Sequence, residues 1–230
     1  MDYSRIEYII GQEKIEKLQQ SCVAVAGLGG VGSYIAEALA RSGIGKLIII
    51  DADKVDASNI NRQLPALVST VGKVKAEVVA ERIRDINPQC ELTVISEFYY
   101  PGEFEKFFKD KIDFVADAID STASKIDLLA ECYNRHIPVI SSMGTGNKLE
   151  PDKLTIADIS KTHTCPLAKS IRKRLRQHNI QKGITVVFST ESPVYATKEA
   201  VPGSMIFVPA SAGLLMASYI VRKLIDTDCQ

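Results

Sequence analysis

Gly27-Leu28-Gly29-Gly30-Val31-Gly32 forms a GxGxxG run. Glycines so spaced let the backbone turn tightly and approach a phosphate, whose charge meets the free N–H groups of a following helix. Asp51 stands nineteen residues after Gly32, where a carboxylate can bind ribose hydroxyls. Neither feature separates NAD from ATP, since both carry ribose and phosphates. The next stretch does. Asp51-Ala-Asp-Lys-Val-Asp-Ala-Ser-Asn-Ile-Asn-Arg-Gln63 brings Asp53, Asn59, Asn61, Arg62 and Gln63 together, and Lys75 follows. Hydride transfer has no evident use for that cluster. Cleavage of an α–β phosphate bond needs cations and amide donors around the developing charge, and a ligand for magnesium. Asp120, in Phe114-Val-Ala-Asp-Ala-Ile-Asp120, offers the carboxylate.

These groups need a scaffold that brings them to one edge. Cys22–Gly27 and Lys46–Ile50 are apolar, β-branched runs without alternation, as expected of strands buried on both faces. Between them Val31–Ser42 has helical spacing. The rhythm continues with a helix over Gly72–Ile86, stopped by Asn87-Pro88, and a strand over Leu92–Ile95. A helix over Glu103–Phe108 and a strand over Phe114–Ala118 follow, then a helix over Ser124–Arg135 and a strand over Ile137–Ser141. Strands alternating with helices predict an α/β fold with a doubly wound, mostly parallel sheet, whose ligands sit at the carboxyl ends of the strands.

The last third is less regular. Lys153–Ile159 and Ile184–Ser189 read as strands, Pro166–His178 as a helix with Pro in its first turn, Val201–Gly203 as a turn and Ala210–Ile225 as a closing apolar helix. One domain is expected over 1–230. It would comprise an N-terminal helical segment (1–20), a nucleotide-binding core (21–145) and a C-terminal extension (146–230) packed on the sheet.

Composition narrows the classes. The chain has 230 residues, 46% of them hydrophobic, with 28 Lys+Arg against 28 Asp+Glu. Disordered, collagen-like and coiled-coil readings fall away, and any polyanion partner must be met by local charge. Five cysteines without a CxxC pair argue against a disulfide framework and a cysteine-based zinc site. The start, MDYSRIEYIIGQEK, has no apolar h-region. The longest apolar stretch, Met205–Val221, is interrupted by Pro209 and Gly213 and is short for a bilayer span. A cytoplasmic protein with no membrane partner is the expectation.

The glycine loop, the Asp51–Gln63 stretch, Gly72-Lys-Val-Lys75 and Asp117-Ala-Ile-Asp120 together resemble the ubiquitin-activating-enzyme-like (ThiF/MoeB/HesA) adenylating family. The resemblance implies a Rossmann-like fold with ATP and Mg²⁺ as cofactors. It assigns Gly27, Gly29, Gly30 and Gly32 to the ATP phosphates, Asp51 to ribose, and Asn59, Arg62 and Lys75 to phosphate contacts. Asp53 and Gln63 belong to the same nucleotide-binding set, and Asp120 would hold Mg²⁺. It also implies a homodimer in which an arginine of the N-terminal helix, here Arg5, reaches the partner's active site. Sulfur-carrier activators of this family carry a structural zinc on two CxxC pairs, which this chain lacks. Instead Asp158-Ile-Ser-Lys-Thr162, Cys165-Pro-Leu-Ala168, Phe188-Ser-Thr-Glu191 and Gly203-Ser-Met-Ile-Phe-Val-Pro209 resemble the bacterial tRNA threonylcarbamoyladenosine dehydratases. Those enzymes use ATP to cyclise a threonylcarbamoyl group beside the anticodon. The resemblance leaves open a monovalent cation and a sulfur-transfer protein.

Residue chemistry offers its own case for RNA. Lys161 to Lys182 holds seven Lys/Arg and no Asp or Glu. On a helix Lys169, Arg172, Lys173 and Arg176 would share one face, with Ala168, Ile171 and Leu175 on another. Such a basic face suits a phosphate backbone. Cys165, ahead of the basic run, is expected to serve helix entry rather than thioester chemistry. Cys22 and Cys132 are read as packing residues, Cys90 follows a turn, and Cys229 lies in the tail. His163 is placed near substrate and Glu191 near the cyclising group. His136 and His178 carry no motif. Three alternatives remain: activation of a ubiquitin-like sulfur carrier, a nucleotide-sensing module without turnover, and a dehydrogenase.

Overall fold

The computed structural model describes residues 1–109, 111–194 and 202–226. Seven strands form one sheet in the order β3-β2-β1-β4-β5-β7-β6. They are β1 (Cys22–Ala26), β2 (Lys46–Ile50), β3 (Glu91–Ile95), β4 (Phe114–Asp117), β5 (Val139–Ser142), β6 (Leu154–Asp158) and β7 (Thr185–Ser189). All neighbours are parallel except β6, which runs antiparallel to β7 at the edge. The strand order reverses at β1, between β2 and β4, and a crevice opens at such a switch point.

Alternation along the strands splits the core. Val23, Val25, Leu47 and Ile49 face helices α3 (Gly32–Arg41), α4 (Lys75–Ile86) and α8 (Phe207–Ile225). Ala24, Ala26, Ile48 and Ile50 face α5 (Phe104–Phe107), α6 (Thr122–Asn134) and α7 (Pro166–Leu175). The doubly wound expectation holds, and β7 joins the extension to the sheet beside β5.

Several boundaries move, each for a local reason. The N-terminal segment is two helices, α1 (Ser4–Ile10) and α2 (Gln12–Gln20), broken at Gly11 with φ 77°. The helix expected from Gly72 starts at Lys75 because Gly72 adopts φ 87° and Val74 bridges Lys54. The basic helix ends its α-form at Leu175, with a short 3-10 turn over Arg176–His178. Helix α8 begins at Phe207, earlier than expected, since Pro209 falls within the first turn, where no N–H is needed. This helix is apolar and long enough to cross a membrane by composition. Here Val208, Ala212, Met216 and Ile220 are buried in the core beside α3. Residue 201 of the expected turn and Cys229 lie outside the described residues.

Candidate active site

Each strand end at the crevice contributes a piece of wall. After β1, Gly27 takes φ 87° and donates its N–H to Ile50 O at 2.8 Å. A Cβ there would lie 2.6 Å from Ala118 O, and a Cβ on Gly32 would lie 1.7 Å from Gly27 O. These two glycines let β4 and α3 close on the turn. Gly29 and Gly30, which meet no such backbone obstruction, leave the loop's inner surface open to the crevice.

Asp51, past β2, ties the loop in place. Its Oδ2 accepts from Leu28 N at 2.7 Å and its Oδ1 from Asp53 N at 2.9 Å. Burial pushes this carboxyl's pKa up, against the pull of Lys75 and the two N–H donors. Lys75 opens α4 with its Nζ 2.9 Å from Asp53 Oδ2. Between them the loop forms a 3-10 turn over Ala57–Asn59, capped by Asp56, whose N–H donates back to Asn59 Oδ1 at 3.2 Å. Arg62 donates to Ser58 O at 2.9 Å and Asn61 Oδ1 at 2.8 Å. Gln63 is 8% exposed, and its Oε1 is buried without a hydrogen-bond partner.

At the end of β4 Asp117 is buried, while Asp120 beyond it is exposed and lines the crevice. Beyond β5, two buried lysines hold the backbone of the wall Ser142–Thr145. Lys125 donates to Ser142 O at 3.2 Å and Lys148 to Gly144 O at 3.0 Å. Burial pulls the Lys148 pKa down.

One cavity of about 780 Å³ joins these pieces. Gly27, Gly29, Gly30, Asp51, Asp53, Asn59, Arg62, Gln63, Lys75 and Asp120 all line it. Gly32 does not; it is a packing glycine. Arg5 is exposed on α1, away from the cavity lining. Sequence reasoning missed Phe98 and Tyr99, from the segment after β3, Ser142–Thr145 and Leu167 past β5 and at the start of α7, and Ser204 and Pro209, which close on the Asn61–Arg62 loop and Gly30. Tyr99 donates its hydroxyl to Asp127 Oδ2 at 2.6 Å, so α6 pins that wall too.

Outside the cavity, Lys169 and Lys173 on α7 and Arg176 in the 3-10 turn after it are exposed, while Ala168, Ile171 and Leu175 of α7 are buried. Arg172 departs from the outward-facing expectation. Its guanidinium turns back to Thr162 O at 2.8 Å and to the Thr162 hydroxyl. Arg174, left out of that face, is exposed. Cys165, 3% exposed, precedes α7. His163 lies outside the cavity and packs edge-on to Phe188. Glu191 also departs from its expected place at the cyclising group. Its carboxylate accepts from Leu149 N at 2.9 Å and Glu150 N at 3.0 Å, so it braces the loop behind the wall.

The donor set suits a nucleoside triphosphate. Two cations, Arg62 and Lys75, and an open glycine turn line one crevice. Among the described residues no group of three or more His, Cys, Asp or Glu could hold a metal ion. A lone carboxylate still fits Mg²⁺, which is usually held by one or two carboxylates plus substrate phosphates.

The ThiF family pattern matches residues 3–230. The chain belongs to the ThiF family. Within it, the tRNA threonylcarbamoyladenosine dehydratase of Bacillus subtilis is 47% identical over 97% of this chain and 94% of its own length. The Escherichia coli tRNA N6-threonylcarbamoyladenosine dehydratase, TcdA, solved in complex with ATP, is 36% identical. It superposes with a TM-score of 0.94 over 98% of this chain and 94% of that one. The E. coli sulfur carrier protein ThiS adenylyltransferase is 33% identical over only 58% of this chain and 54% of its own length.

Proposed function

We propose that this ThiF-family chain uses ATP to cyclise threonylcarbamoyladenosine in tRNA, with loss of one water. The single cavity joining Arg62, Lys75 and Asp120 to the wall Ser142–Thr145 carries this reading. Its near full-length likeness to dehydratases of that name supports it.

The chemistry follows from the layout. The threonyl carboxylate attacks the α-phosphorus of ATP, the α–β P–O bond breaks, and pyrophosphate leaves an acyl-adenylate. A nitrogen of the same modification then attacks the activated carbonyl and loses its proton. The bond to AMP breaks and the ring closes. Arg62 and Lys75 would stabilise charge developing on the phosphates, while Asp51 would hold ribose. Asp120 would hold Mg²⁺, which when bound neutralises phosphate charge and polarises the reacting oxygens. Both reacting groups belong to one molecule, so positioning outweighs the need for a strong base. Leu167 and Ser142–Thr145 lie on the side away from Asp51 and are suited to receive the acyl acceptor.

Lys169, Lys173 and Arg176 would track RNA phosphates outside, with the buried end of Arg172 contributing shape rather than contact. A homodimer would bring Arg5 of one copy to the other's cavity. Work in the cytoplasm follows from the substrate. Incubation with ATP, Mg²⁺ and threonylcarbamoylated tRNA, followed by mass spectrometry of the nucleosides, tests the reading. Loss of one water supports it. Intact nucleoside, together with AMP release driven by a Gly-Gly-ending carrier protein, would replace it with sulfur-carrier activation.

A further inference from the structure

Lys125 is 1% exposed, on α6 beneath the cavity floor, and the steps above do not use it. Its ammonium lies 2.6 Å from Asp117 Oδ2, 3.3 Å from Ser141 Oγ and 3.2 Å from Ser142 O. Asp117 is also saturated. Its Oδ2 accepts from the Ser141 hydroxyl at 2.5 Å, and its Oδ1 from Ile119 N at 3.1 Å. Asp117 and Ser141 are the last paired residues of β4 and β5. Past them the strands diverge, one into the loop that ends at Asp120, the other into the wall Ser142–Thr145.

A buried ion pair of this kind adds little net stability, because desolvation offsets its attraction; apolar residues of equal volume would hold the core as well. What it fixes is geometry. We propose that Lys125 is a positioning residue that sets the distance between the Asp120 carboxylate and the acceptor wall, acting on the chemical step rather than on ATP binding. The inference rests on the adenylating reading above.

Three variants test it: Lys125→Met, Lys125→Arg and the charge-balanced double change Lys125→Met/Asp117→Asn, which avoids an unpaired buried charge. Each is measured for melting temperature, for ATP affinity by calorimetry, and for kcat of pyrophosphate exchange with threonylcarbamoylated tRNA. Misplacement by about an ångström costs on the order of 100-fold in rate. The double variant should therefore melt near wild type and bind ATP within about threefold, yet lose kcat by roughly 30- to 100-fold. Lys125→Arg should recover part of the loss. Wild-type kcat in the double variant, or loss of kcat only in step with ATP affinity and melting temperature, overturns the proposal. A wild-type enzyme that neither exchanges nor cyclises would instead overturn the functional reading itself.

Discussion

Lys75 and Asp53 meet at 2.9 Å with opposite exposures: the ammonium side chain is 6% exposed and the carboxylate 70%. The cation is held from inside while its counterion stands in solvent, so a phosphate entering the cavity can take the carboxylate's place without dislodging the lysine. Lys75→Met, which keeps the buried stem, should lower kcat/KM for pyrophosphate exchange by about 100- to 1000-fold, the usual cost of losing one preorganised charge stabiliser. Steady-state exchange assays check this, and a rate within threefold of wild type would remove Lys75 from the reaction.

Asp120 is exposed and makes no part of the buried network under it. Asp120→Ala should therefore abolish exchange at millimolar Mg²⁺ while changing stability by less than ~0.5 kcal/mol, as for other surface positions. Thermal melts and exchange assays on the same preparation separate the two effects.

The glycine loop should divide by role. Gly27→Ala places a methyl 2.6 Å from Ala118 O at φ 87°, costing about 2–4 kcal/mol from strain and overpacking together. At Gly29 the nearest atom to an added Cβ is Gln63 Nε2, at 3.7 Å. Gly29→Ala should fold normally and weaken ATP binding. Paired denaturation and nucleotide titrations would show the contrast.

Glu37 joins α3 to α4 through Arg82 at 2.5 Å, and pairs with Arg41 one turn along its own helix at 2.7 Å. Burial alone would raise its pKa, yet the hydrogen bonds from Arg82 and Arg41 win and hold it below the usual 4.5. A depressed carboxyl stabilises the fold above its unfolded value, and that contribution fades as pH falls through the folded one. Both arginines are well exposed, so screening limits Glu37→Gln to a loss of about 0.5–1 kcal/mol at pH 7. Melts at pH 7 and pH 3 should show the difference between variant and wild type shrinking in acid.

Cys165 is buried ahead of α7, and the two-step chemistry needs no thiol. Cys165→Ala should keep cyclisation within about threefold, for a stability cost of roughly 1 kcal/mol. Complete loss of cyclisation with adenylation intact would point to a covalent intermediate.

Local sequence carried much of this. Ile48–Ile50 and Val23–Val25 have no polar face, so they read as doubly buried strands, and the glycine turn and the Asp51–Gln63 loop lie close enough in sequence to be seen as one cluster. Other parts were illegible because they depend on sheet order. Phe98 and Tyr99 reach the cavity from the segment after β3, and Leu167 reaches it from α7. Nothing in their neighbouring residues announces that. Helical spacing grouped Arg172 with Lys169 and Lys173, but spacing cannot see the Thr162 carbonyl that claims its guanidinium. Glu191 looked like a functional acid for the same reason: its partners, Leu149 and Glu150, lie some forty residues away.

Strand β7 hydrogen-bonds directly to β5, so the strands that flank α7 are built into the same sheet as the glycine turn. On the function proposed above, the crevice would stay put and the RNA would have to present its modified group to it, so any cost of exposing that group would fall on the RNA.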